Sequence, residues 1–98
     1  MPPVPVMRDV RYETEAQEAC DNACERWLRA DDQIWLLEWI IVRDPTEGLA
    51  LTESGKTRAI TLQGMISNSA PTVTFVYEVE PDRISVKAAL FDEATAIN

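Results

Sequence analysis

The run Thr72-Val73-Thr74-Phe75-Val76-Tyr77-Glu78-Val79-Glu80 decides the fold. Val73, Phe75, Tyr77 and Val79 recur at every second position, with Thr74, Val76 and Glu78 between them. A period of two sends one set to each face of an extended strand. The β-branched and aromatic content suits a pleated, half-buried surface. Pro81-Asp82 then turns the chain, and a last strand runs from Arg83 to about Phe91, with Ile84, Val86, Ala88 and Leu90 alternating inward. Upstream, Thr57 to Gln63 reads as another strand, with Arg58, Ile60 and Leu62 on one face, and Gly64 to Ala70 as a polar loop.

Ahead of these strands the period changes. Ala16, Ala19, Cys20, Ala23, Cys24, Trp27 and Leu28 follow an i, i+3, i+4, i+7 series, the mark of a helix with one apolar face. Thr14 and Gln17 form a capping box at its start, and it is expected to reach Arg29 or Ala30. Asp31 or Asp32 caps a second helix that runs to about Arg43. Asp44-Pro45 stops it, because the residue before proline leaves the helical region. The short link makes the two an antiparallel hairpin. In the second helix Ile34, Trp35, Leu36, Leu37, Trp39, Ile40, Ile41 and Val42 project in nearly every direction. Such a helix is normally buried all round, which a small domain can hardly provide. Either the sheet, the first helix and the N-terminal arm cover it, or part of it, a tryptophan included, meets a partner or a second copy.

A first strand over Met7 to Tyr12 completes the order β-α-α-β-β-β. Segregated helices followed by sequential strands imply an α+β fold, with an N-terminal strand and a helix hairpin packed on a mainly antiparallel three- to four-stranded sheet. Leu49 to Ser54 reads as a helical turn or a connector. Residues 1–98 form one domain, with a loose Pro-rich arm over 1–6 and a loose tail over 92–98.

Composition narrows the chemistry. The chain has 98 residues, no histidine and a net charge of −8. Without imidazole there is no Ser-His or Cys-His pair and no histidine metal ligand. Two cysteines do not make a four-thiolate zinc site, and Cys20 and Cys24 read as two small buried hydrophobes. The negative balance disfavours phosphate and anionic lipid, whose binding rests on Lys and Arg. No apolar stretch approaches the ~20 residues of a membrane span. The start lacks a basic and apolar leader pattern, so the expectation is a cytoplasmic protein. No cofactor, metal ligand set or catalytic constellation is expected.

Single residues have structural readings too. Tyr77 shares parity with the core row, which makes it a core tyrosine with its hydroxyl at an edge. Arg58 ends a core-facing row and is read as an anchor for the turn carboxylates Asp44 or Glu47. Glu78 and Glu80 lie on the opposite face, as a solvated surface. Gly55-Lys56-Thr57 lacks the upstream glycine of a phosphate loop and precedes a strand, so that reading is rejected.

The order, with Asp44-Pro45-x-x-Gly48, Leu51, Gly55 and Arg58 followed by Val73-Thr74-Phe75-Val76-Tyr77-Glu78-Val79 and Ile84-Ser85-Val86, resembles the RelE/ParE family of bacterial toxins. The likeness spans about Val10 to Phe91. It implies a toxin–antitoxin system and an antitoxin that wraps the helices and sheet. In ribonuclease members it implies a basic concave sheet. Here the chain departs from that pattern. Thr74 stands where arginine is frequent, and the last strand ends Ala88-Ala89-Leu90-Phe91-Asp92-Glu93. Only Arg58, Arg83 and Lys87 remain as basic positions for RNA. ParE-type members act on DNA gyrase by protein contact, which needs no catalytic set. The expectation is therefore a toxin-related protein that binds an antitoxin-like protein or itself, through Trp35, Trp39 and Ile40. The alternatives are an acidic interaction module or homodimer, and a divergent ribosome-dependent mRNA endonuclease.

Overall fold

The computed structural model describes residues 9–94. The elements are β1 (Asp9–Tyr12), α1 (Thr14–Arg26), α2 (Ala30–Arg43), β2 (Leu49–Ala50), β3 (Thr57–Leu62), a single 3-10 turn (Ile66–Asn68), β4 (Thr72–Val79) and β5 (Arg83–Asp92). The sheet runs β1-β5-β4-β3-β2. β1 lies parallel to β5, and the other pairings are antiparallel. This is the expected α+β layout. It has five strands instead of three or four, because Leu49 and Ala50 pair with Ala59 and Arg58. The 1–6 arm, the Met7 and Arg8 start of the first strand and residues 95–98 of the expected tail lie outside the described residues. Asp92 is not tail but the last residue of β5, opposite Thr72.

Both helices pack on one face of the sheet. Ala16 and Cys20 of α1 and Leu37 and Ile41 of α2 are buried against Val73, Phe75, Tyr77, Ile84, Val86 and Ala89. Each large apolar side chain removed from water there contributes about 1.5–3 kcal/mol. Tyr12 meets Phe75 edge to face at 5.9 Å, which brings β1 into the same core. A smaller cluster of Ala23, Trp27 and Ala30 fills the α1–α2 corner, where Trp27 stacks on Phe91.

Several sequence expectations fail at element ends, and each failure has a local cause. The capping box does not form. Glu13 is the N-cap of α1 and makes no side-chain cap bond, because its carboxylate accepts from Lys87 Nζ at 2.8 Å instead. Gln17 turns forward and donates to Asp21. α1 ends at Arg26, short of Arg29, since burial of Trp27 in the corner needs extended backbone there. α2 begins at Ala30 behind Arg29, and Asp31 and Asp32 occupy its first turn, where they favour the positive end of the helix dipole without capping it.

The last strand holds the largest error. Ile84 and Val86 face the core as expected, but Leu90 is 55% exposed and Ala89 is buried. Tyr77 pairs with Val86 and Val76 pairs with Ala88, so Lys87 is an extra residue on β5. A bulge of this kind reverses the parity of everything after it. Ala89 and Phe91 turn inward, and Ala88 and Leu90 turn out.

The end of α2 is fixed to the sheet by one hydroxyl. Tyr77 is fully buried; its OH donates to the Pro45 carbonyl at 2.7 Å and accepts from the Gly48 amide at 3.1 Å. Gly48 is required by this approach, because a Cβ there would stand 2.5 Å from that oxygen and 2.9 Å from the Ala59 carbonyl. Tyr77→Phe strands a buried amide and a buried carbonyl, and an expected loss of about 1–3 kcal/mol is read from the urea midpoint. Tyr12→Phe is the control. Its OH donates to the half-buried Glu38 at 2.7 Å, a carboxylate that water can reach, so about 1 kcal/mol or less is expected to be lost.

Candidate functional site

α2 presents Ala30, Leu37 and Ile41 to the core. At 100° per residue the opposite side belongs to Trp35, Leu36, Trp39 and Arg43, flanked by Asp31 and Asp32. Trp35 is 65% exposed, Trp39 44% and Leu36 39%. The Arg43 guanidinium lies 4.4 Å above the Trp39 ring, a cation–π contact that keeps the ring outward. Full coverage of this helix is therefore not what the fold provides. The structure brings Trp35 and Trp39 together on one ridge. Ile40 is half-buried on the flank and stands apart from them. Leu36 and Arg43 complete the surface and were absent from the sequence expectation; their helical spacing from the tryptophans was the available signal.

Beside Trp35 a cleft of about 280 Å³ opens between the helices. Tyr12, Cys20, Ile34 and Trp35 form its apolar wall, and Asp21, Asp31 and Glu38 supply negative charge. Cys20 is buried there, but Cys24 is exposed, against expectation, because α1 packs on the sheet by the Ala16–Cys20–Ala23 stripe and leaves Cys24 on the α2 side of the cleft. Burial, then the neighbouring Cys24 and Asp21, push the Cys20 thiol up to about 12. Burial, then Asp31 and Asp21, also raise Cys24. Both sulfurs stay protonated near neutrality and lack thiolate nucleophilicity. Burial and the Glu38 carboxylate likewise keep the Tyr12 phenol un-ionised. Among the described residues, no group of three or more His, Cys, Asp or Glu side chains is arranged to hold a metal ion.

The basic positions are not gathered. Arg58 lies on the helix side of the sheet and donates to the carbonyls of Gly55, Thr46 and Gly48, the last at 2.8 Å. It is an anchor of the turn, as expected, but through carbonyls and not through Asp44 or Glu47. Arg83 pairs with Glu80 at 2.9 Å, and Lys87 with Glu13 at 2.8 Å and Glu78 at 3.8 Å. Glu78 also takes Lys56, so the outward end of the sheet is a lattice of opposite charges. Arg11 of β1, opposite Ser85, is exposed on the same face and makes no ion pair among the described residues, and the middle of the face is uncharged. Leu49, Ala59, Val76 and Ala88 form one row across four strands, and the Thr61 and Thr74 hydroxyls, 2.8 Å apart, begin the next.

Trp35→Ala and Trp39→Ala are expected to change the urea midpoint by no more than about 0.5 kcal/mol equivalent each. Iodide is expected to quench both rings and leave Trp27 untouched. A separate expectation concerns Asp44. It accepts from the Thr46 hydroxyl at 2.6 Å and the Thr46 amide at 3.1 Å. Those bonds hold its carboxyl below the ordinary 3.8. A lowered folded value means stability that is present above 3.8 and is lost as pH falls through the folded value. Asp44→Asn keeps the acceptor but does not titrate. Acid titration followed by circular dichroism should show the two chains diverging only below pH 3.8.

No helix among the described residues is long and apolar enough to cross a membrane. Comparison with protein-family models, with curated proteins and with solved structures found no match to this chain.

Proposed function

We propose that this chain works by binding another protein and not by catalysis, as a RelE/ParE-like, toxin-related cytoplasmic member of a toxin–antitoxin pair. The carrying observation is the exposed Trp35–Leu36–Trp39 ridge on α2. Aromatic anchors in a cluster are what the energetic centre of an interface uses, and a folded chain gains nothing by leaving them in water. The toxin–antitoxin assignment rests on the element order and on the Val73 to Val86 hairpin residues. The partner is an antitoxin-like protein.

The endonuclease reading is weaker. Cleavage of RNA needs a proton acceptor at the 2′-hydroxyl and cations for the charge that builds on phosphorus. Arg58 is committed to backbone carbonyls on the helix side, while Arg83 and Lys87 are matched by carboxylates.

Co-expression with the product of the adjoining reading frame tests the proposal. A co-purifying complex is expected, and Trp35→Ala with Trp39→Ala should weaken it by about tenfold or more. Arg83→Ala and Lys87→Ala should leave it intact. Absence of any complex with that neighbour, or ribosome-dependent mRNA cleavage above background that Arg58→Ala removes, would sink it.

A further inference from the structure

We infer that the outward ridge of α2 pairs with the same ridge of a second copy, antiparallel, so that Arg43 of each chain reaches the acidic mouth of the other's α1–α2 cleft. The inference rests on the reading of α2 as the contact surface and adds an occupant for it in the free protein, which an antitoxin-like partner would displace.

Asp31, Trp35, Trp39 and Arg43 are spaced four apart. Residues at that spacing line up as one ridge inclined across a helix, the ridge by which helices most often interdigitate. This ridge has a polarity. An acid stands at its N-terminal end, two indoles at its middle and a guanidinium at its C-terminal end. A two-fold axis passing between Trp35 and Trp39 sets Trp35 of one chain against Trp39 of the other. The same axis sets Arg43 against Asp31, with Asp32 one residue away. A surface whose residue i meets j while j meets i is self-complementary, which is the condition for a closed dimer. A parallel arrangement would place Arg43 against Arg43 and Asp31 against Asp31.

The destination of Arg43 is also formed. Asp31 and Trp35 belong both to the ridge and to the cleft wall, and Asp21 and Glu38 line the same cleft. An incoming guanidinium would find carboxylates to pair and an indole face to lie on, the two kinds of contact that arginine makes best. Within one chain Arg43 already lies on an indole, 4.4 Å from Trp39, and among the described residues no carboxylate lies within ion-pair distance of it. The net charge of −8 opposes self-association only at long range, since physiological salt screens beyond about 8 Å. The contact is one face of a single 14-residue helix, small for a specific interface, so the dimer is reversible.

Sedimentation of the full chain over a concentration series reads the outcome. The native chain should show a monomer–dimer equilibrium. Arg43→Glu alone and Asp31→Arg alone should each weaken it by about tenfold or more, because each places like charges at both ends of the ridge. An equimolar mixture of those two variants should recover the dimer, since every facing pair is then opposite in sign. All these positions are exposed, and an unchanged circular dichroism spectrum verifies that the variants fold. A native chain that stays monomeric at on the order of 100 μM, or single variants that dimerise as the native chain does, would overturn the pairing. If the native chain is monomeric yet the two tryptophan substitutions abolish the complex with the neighbouring gene's product, self-pairing fails while the partner-binding reading stands.

Discussion

The buried hydroxyl of Tyr77 is the constraint on which the rest of this molecule depends. β4 is the central strand, and Tyr77 sits near its end with its ring in the core. Its OH needs a donor and an acceptor there, because an unpaired buried hydroxyl is costly. The turn after α2 supplies both, through Pro45 and Gly48. That pins the C-terminal end of α2 over the sheet, and Arg58 ties the same turn from the other side through the carbonyls of Thr46 and Gly48. At the far end of α2, Gln33 Nε2 donates to the Gln63 and Pro71 carbonyls. With both ends held, the helix has one rotation. Leu37 and Ile41 go down, and Trp35, Leu36 and Trp39 go up. The exposure of the tryptophans follows from how the turn is satisfied and is not a loose end of packing.

The period-two run of β4 and the period-3.6 runs of the helices were legible in the sequence, because burial of one face imposes them directly. So was the role of Tyr77, since its parity left no other place for the ring. The bulge was not legible. Ala88-Ala89-Leu90-Phe91 admits either parity: Ala88 with Leu90, or Ala89 with Phe91. Only the pairing of Val76 with Ala88 settles which set is buried. The choice is made by Trp27, which lies across Phe91, a contact between residues far apart in the chain. β2 was missed for a related reason. Two residues carry no period, and their strand character comes from β3 alone. The capping box was lost because β5 holds the Glu13 amide on the Val86 carbonyl, so the helix already begins at Thr14 and Glu13 takes the N-cap place that the box needed for Thr14. Each error therefore traces to a partner brought in from a distance, which local spacing does not encode.

On the candidate surface the same division holds. An apolar-all-round α2 in a small domain announces that something remains uncovered, and the structure identifies which part. Ile40 looked equivalent to the tryptophans from composition, yet it lies on the flank and is half-buried. Arg43 figured in the sequence only as the end of the second helix. Its position above Trp39 gives it a second role, visible only once the ridge is seen as a unit with an acid at one end and a base at the other.

The charge of −8 acquires a location from this arrangement. Lys56, Arg83 and Lys87 are matched by Glu78, Glu80 and Glu13 around the open sheet face, and Arg26 and Arg29 by Glu93 and Asp32. The surplus acid divides between the helices, where Glu15, Glu18, Asp21, Glu25 and Asp31 are exposed, and the turns and strand ends, where Asp9, Asp44, Glu47, Glu53, Asp82 and Asp92 are exposed. Exposed pairs contribute little stability individually. Their larger effect here is to cancel most of the positive potential on the sheet, while the helices keep exposed acid without cations. A polyanion approaching the sheet finds its cations matched except for the exposed Arg11 of β1, and exposed acid on the helices repels it there. The apolar ridge, with Arg43 at its end, sits beside those exposed helix acids. A partner that docks on α2 must therefore bring indole-compatible apolar surface at the centre, a carboxylate for Arg43, and positive charge for the cleft. The face of α2 itself carries that combination, in reverse order.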